Sequence, residues 1–255
     1  MKKLFALFMV LALCLCGMSA MAEVKASDIS EKMKDIKYES GEIDFNADLS
    51  MTVSGFTLPV KADVNCRFSG KVAGGKINVS VPGILDEMTI EYYGELTDKA
   101  VRVYVQDEEG KWGFTESELP EGFDFDQLKD LDMAVNFGDA TVEEGDTLVV
   151  KTTVGDLLLA NGFDEEMLGS LDEFDEEYQA MAKMVYDSIK DVAVSFEFDK
   201  EFNLLRVFAD NIDLTVAVDE DSMDITGSMV CEYKDMNNVP EFEIPADIIE
   251  AAEAM

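Results

Sequence analysis

Alternation of apolar and polar residues begins at Ile43 and is almost unbroken for two strand lengths. Ile43, Phe45, Ala47, Leu49, Met51 and Val53 fall on one side, and Asp44, Asn46, Asp48, Ser50 and Thr52 on the other. After Gly55 and Pro59 it resumes, with Val60, Ala62, Val64, Cys66 and Phe68 against Lys61, Asp63, Asn65 and Arg67. A period of two with one dry and one wet side marks antiparallel strands buried on a single face. Shorter runs predict strands over 76–81, 87–96 and 100–106, and Asp107-Glu108-Glu109-Gly110 predicts a hairpin turn into Trp112 and Phe114. On this reading Tyr93 and Tyr104 lie on wet faces.

Helical spacing interrupts the strands. Asp28, followed three residues later by Glu31, predicts a capping-box start, and Ile29, Met33 and Ile36 share one face of a helix over 28–37. Residues 117–140, with Pro120, Gly122 and the acidic run DFDQLKDLD, predict a loop and a short helix. A strand over 147–154 follows the turn Glu144-Gly145-Asp146, and Asp156–Ala160 predicts one helical turn closed by Asn161-Gly162. The longest helix, 164–190, carries Met167, Leu171, Phe174, Tyr178, Met181 and Val185 at spacings of four and three. Strands over 192–198, 204–218 and 223–233 complete the pattern. Residues 239–245 are extended between two prolines, and 246–255 read as a loose helical end.

The expected fold is α+β: about ten antiparallel strands in a curved sheet, an open half-barrel, with helices 28–37 and 164–190 covering the concave face. No linker or shift in composition divides the chain, so 23–255 reads as a single domain.

The first 22 residues differ in kind. Lys2 and Lys3 precede an apolar run from Leu4 to Cys16, and Ala20-Met21-Ala22 supplies the small-x-small site of a signal peptidase. The run is shorter than the roughly 20 residues of a transmembrane helix, so a retained anchor is the lesser alternative. Lipidation at Cys14 or Cys16 is another, although leucine precedes each where Gly, Ala or Ser is wanted. No other stretch is apolar enough to span a bilayer. The expectation is a soluble chain, secreted or held in the extracytoplasmic cell envelope.

Cleavage removes two of the 20 basic residues and none of the 55 acidic ones, leaving 18 against 55, a net charge of −37. That excess opposes nucleic acid, whose phosphates need Lys and Arg, and opposes docking on anionic lipid heads. Two cysteines remain, Cys66 and Cys231. A disulfide between them would favour folding by about 5 kcal/mol in the chain-entropy model; two buried thiols are the alternative.

Histidine is absent from the whole sequence. This removes Ser-His-Asp and Cys-His catalysis and His-ligated zinc. No phosphate-binding glycine loop occurs, since Gly70–Gly75 sits between strands with no helix after it. No pair of carboxylates stands out, so no catalytic residue and no cofactor is assigned. Calcium is the cation to weigh for an acidic exported chain. The EF-hand pattern is missing, and Asp124, Asp126, Asp130 and Asp132, like Asp219, Asp221 and Asp224, read first as solvated charge. The apolar side is the better candidate. Met167, Leu171, Phe174, Tyr178 and Met181 on the long helix would face Phe45, Leu49, Phe68, Phe196 and Met229 on strands, an adaptable lining that can admit an apolar guest.

The order of elements resembles the LolA/LppX-type lipoprotein carriers of bacterial envelopes over most of 27–245. So does the closing stretch, Tyr233-Lys234-Asp235-Met236-Asn237-Asn238-Val239 followed by Ile244-Pro245. The resemblance implies a cavity for acyl chains or another apolar ligand. The chain departs from it in lacking a credible lipobox and an assignable acyl-gating arginine. Two expectations therefore compete: an exported non-enzymatic binding protein holding an apolar or lipid-like ligand between the half-barrel and helix 164–190, and an envelope or surface interaction protein with a filled core and an acidic face for partners or cations.

Overall fold

The computed structural model describes residues 24–97, 99–107, 110–119, 135–163, 176–218 and 221–254. Among these are four helices, α1 (Ala26–Met33), α2 (Val154–Ala160), α3 (Glu176–Ile189) and α4 (Ala246–Ala251). Twelve strands accompany them: β1 (Ser40–Val53), β2 (Phe56–Ser69), β3 (Val72–Val81), β4 (Leu85–Leu96), β5 (Ala100–Gln106), β6 (Trp112–Glu118), β7 (Thr141–Glu144), β8 (Leu148–Thr153), β9 (Ala193–Phe198), β10 (Leu204–Val218), β11 (Asp221–Lys234) and β12 (Glu253–Ala254). They are hydrogen-bonded in the order β12-β6-β5-β4-β3-β2-β1-β11-β10-β9-β8-β7, an unclosed sheet with β7 and β12 at its edges. The α+β class with an open, largely antiparallel sheet is as the alternation predicts. Two strands are additional: β7, between the 117–140 stretch read as loop and short helix and the strand expected over 147–154, and β12, which pairs parallel to β6 at Gly113 and Phe114.

The chain forms two compact units. The first comprises residues up to Ile36, Leu49–Leu58 and Asp132–Val230, and the second Lys37–Asp48, Pro59–Leu131 and Cys231–Met255. The first has a closely packed core. Register sets Val150 against Phe196 and Leu148 against Phe198, and Phe196 against Val207 on the next strand. All of these are at most 5% exposed. Phe137 stands edge-on to Phe196, ring centroids 4.9 Å apart, and to Phe198 at 6.3 Å. The segment carrying it is tied to α1: the Phe137 amide donates to Ser30 Oγ at 3.1 Å and the Val135 amide to Met33 Sδ at 3.2 Å. α1 buries Ala26, Ile29 and Met33. It begins before Asp28, so Asp28 is not the cap but the first-turn acceptor, its carboxylate taking the Lys25 amide at 3.0 Å. α2 is capped by Thr153, whose Oγ1 accepts the Asp156 amide. α3 packs on β10 and α2; the expected start of that helix at 164 lies outside the described residues.

In the second unit the meander β2 to β6 has two faces of different character. Register aligns Val64, Ile77 and Ile90 on one, and Tyr93, Tyr104 and Phe114 on the other. Tyr104 is 1% exposed, which corrects its assignment to a wet face. What dries it is the chain's last segment. Ile244 and Ile248, on and before α4, form a cluster with Tyr104, against which Tyr93, Trp112, Phe114 and Ala252 pack. The "loose" tail is thus a structural strap.

Candidate functional site

The side chains on the valine side of β2–β5 are apolar yet none is fully buried. On β2 these are Val60, Ala62, Val64, Cys66 and Phe68; on β3, Ile77 and Val79; on β4, Met88, Ile90 and Tyr92; on β5, Val103 and Val105. Val101, at the end of β5, is 37% exposed. In a closely packed sheet, central positions of this kind drop to the 0–1% of Leu148, Val150 and Phe198. The face therefore offers partly accessible aliphatic surface, with Tyr92 and Cys66 as its polar point. The Tyr92 hydroxyl donates to the Asn65 carbonyl at 3.5 Å, and burial pushes its ionisation well above the usual phenol range.

On the opposite face Lys61, Asp63, Asn65, Arg67 and Lys76 stay exposed, and the Tyr104 end is covered. Gly74 permits this: a Cβ there would stand 2.5 Å from the Tyr93 ring, so only glycine lets the ring lie across β3. Tyr93 meets Trp112 at 5.9 Å and Tyr104 meets Phe114 at 6.0 Å. Beside them Arg102 binds Glu95 at 3.1 Å and Glu116 through Nε at 2.8 Å, and the Tyr104 hydroxyl donates to Glu95 at 3.2 Å. Phe242 of the strap lies under the Arg67 guanidinium, 4.3 Å from its ring centroid. These contacts pair Arg102 and Arg67 within the structure.

The expected lining residues fall in three groups. Met167, Leu171 and Phe174 lie outside the described residues, and so do the side chains of Tyr178 and Met181, although α3 carries both. Phe45 and Phe68 are half-buried in the second unit, as are Leu49 and Met229 in the first. Phe196 is 1% exposed, its ring taken up by Phe137, and belongs to the first unit's core. Ile77, Met88 and Ile90, which the register sets on the same face as Val64 and Ala62, are not among the expected lining residues, because the apolar runs read around them are shorter than the strands that form. The signal was present in the register that the long β2 alternation imposes on its neighbours.

The closing stretch that resembles the lipoprotein carriers has a structural task. Asn237, at φ 62°, accepts the Glu39 amide at 2.7 Å, donates from Nδ2 to the Lys37 carbonyl at 2.9 Å, and from its amide to the Ser40 carbonyl at 2.7 Å. It clips the entry to β1. Met236 lies against Gly41, where a Cβ would stand 2.9 Å from the Met236 methyl carbon.

Cys66 and Cys231 are free thiols. They sit on β2 and β11 with β1 between, two strand spacings or about 9.5 Å apart, beyond disulfide reach. Burial pushes both thiols up in pKa, which makes them inert. Of the acidic clusters weighed for calcium, 124–132 and 219–220 lie outside the described residues, and Asp224 accepts a hydrogen bond from Thr215 at 2.7 Å. Among the described residues no three Cys, Asp or Glu side chains converge as a metal site, and no helix is long and apolar enough to cross a membrane.

A search of curated proteins finds no match. Among solved structures, a DUF1329 family protein from Desulfovibrio piger aligns over 78% of this chain and 85% of its own, at 12% identity and a TM-score of 0.23. A family model, described as a family of unknown function (DUF6612), matches residues 23–253. With nearly its whole length matched, the chain belongs to the DUF6612 family.

Proposed function

We propose that this chain is an exported, non-enzymatic binding protein that holds an apolar or lipid-like guest against the valine face of β2–β5. One observation carries the reading: a run of Val, Ile, Met and Phe side chains stays partly accessible on one side of the meander, while on the other side the aromatic Tyr104 end is covered by the strap and the rest is polar. Each of these partly buried side chains that a guest removes from water adds a fraction of the roughly 1.5–3 kcal/mol that complete burial is worth. The absence of histidine, and of a convergent cluster of Cys, Asp and Glu among the described residues, supports binding over turnover. The signal-like residues 1–22 support export, to the envelope or beyond. The carrier resemblance supports an acyl chain as guest, without implying lipoprotein transfer.

The test is native mass spectrometry of the purified chain, followed by titration with the fluorescent fatty acid parinaric acid. A bound lipid, or saturable uptake that Val64→Glu with Ile90→Glu weakens more than tenfold, is the expected result. A guest-free chain that takes up no probe overturns it. The competing reading, an acidic interaction protein, draws on the filled core of the first unit. It requires stability to respond to calcium and EDTA, which the guest reading does not.

A further inference from the structure

The hairpin turns of this sheet are of two kinds. Six of them carry charge: Lys71 after β2, Lys99 after β4, Asp107 and Lys111 after β5, Glu144 and Asp146 after β7, Asp199 to Glu201 after β9, and Asp219 to Asp221 after β10. Two do not. From Leu49 to Val60, around the β1–β2 turn, there is no charged residue, and none from Ile77 to Leu85 around the β3–β4 turn. These two turns also hold the most exposed large hydrophobic residues of the described chain, Phe56 at 78% and Ile84 at 68%.

Both tips are built firmly. Ser54 and Gly55 take φ 49° and 82°, the left-handed pair of a tight hairpin turn, and the Thr52 and Thr57 hydroxyls bond across it at 2.9 Å. At the other tip Pro82 precedes Gly83 at φ 88°, and the Ile84 amide closes the turn on the Val81 carbonyl at 2.9 Å. An apolar side chain presented on a rigid, uncharged turn loses little conformational freedom when it is buried elsewhere.

We infer that the Phe56 and Ile84 tips are contact points for an electrically neutral lipid surface. The chain's net charge of −35 repels anionic headgroups, and charge is missing where a zwitterionic interface could admit the side chains. Phenylalanine and isoleucine gain by entering the acyl boundary. Each tip is its own contact, and neither needs a guest on β2–β5.

The experiment is co-sedimentation of the full chain with phosphatidylcholine vesicles, repeated with phosphatidylglycerol included. The expected result is binding to the neutral vesicles that weakens with anionic lipid. Phe56→Ser and Ile84→Ser should each weaken it about tenfold, leaving parinaric acid uptake and thermal unfolding unchanged. No binding to neutral vesicles, binding insensitive to both substitutions, or a dependence on anionic lipid overturns the inference. So does a concentration-dependent dimer by light scattering that either substitution abolishes, because the tips would then serve a second copy of the chain. Uptake lost with vesicle binding intact instead counts against the guest reading alone.

Discussion

Asp44 illustrates what a single side chain does here. Its carboxylate accepts from Lys234 Nζ at 2.8 Å and from Asn65. The Lys234 bond is the main cause that holds its pKa below the usual carboxylate value, outweighing partial burial. A carboxyl depressed on folding stabilises the native state above its unfolded pKa of about 3.9, and that contribution is lost as pH falls through the lower folded value. Asp44→Asn is therefore expected to cost up to about 1 kcal/mol at pH 7, since the pair is partly exposed. The difference should vanish in strong acid. Urea titrations of both forms from pH 7 down to pH 2 measure it; a gap that persists at the lowest pH refutes the pairing.

At the level of elements, the two faces of the meander were unequally legible. Val60 to Phe68 alternate so cleanly that strand, face and register follow from them. Tyr93 and Tyr104 read as wet, because the cover of their face, Ile244 and Ile248, lies far along the chain and has no strong pattern of its own. A period-of-two reading assumes one dry face, and this sheet has apolar groups on both. β7 was illegible for another reason. Thr141–Glu144 is short and acidic, and its pairing with Lys151 to Leu148 comes from its neighbour rather than its own propensity. The strap can be tested by itself: Ile248→Ala removes a nearly buried side chain, 7% exposed, and should cost about 2–4 kcal/mol. Trp112 is the sole tryptophan and packs on the same cluster, so its emission should shift to the red in Ile248→Asp. An unshifted spectrum would mean that the strap does not cover the tyrosine face.

For the molecule as a whole, charge is the dominant property. Fifty-five acids against 20 bases give a repulsion that folding must overcome. Ion pairs such as Lys61–Asp48 and Lys151–Glu143 are exposed and offset little of it. Raising salt from about 0.01 to 0.15 M shortens the screening length from about 30 to 8 Å. The melting temperature should rise by about 2–4 °C per kcal/mol of repulsion relieved. A scanning-calorimetry series in sodium chloride that stays flat would show that the acids are spaced widely enough not to interact.

The separation of Cys66 from Cys231 by β1 has a consequence for how the chain matures. In an oxidising medium the unfolded chain can join its two thiols, but the native strand order leaves no place for that bond. Oxidation and folding thus compete, and the oxidised product is a dead end that must be reduced before β1 can take its seat between them. Replacing either cysteine by alanine should therefore raise recovery from oxidative refolding without altering the folded protein's register.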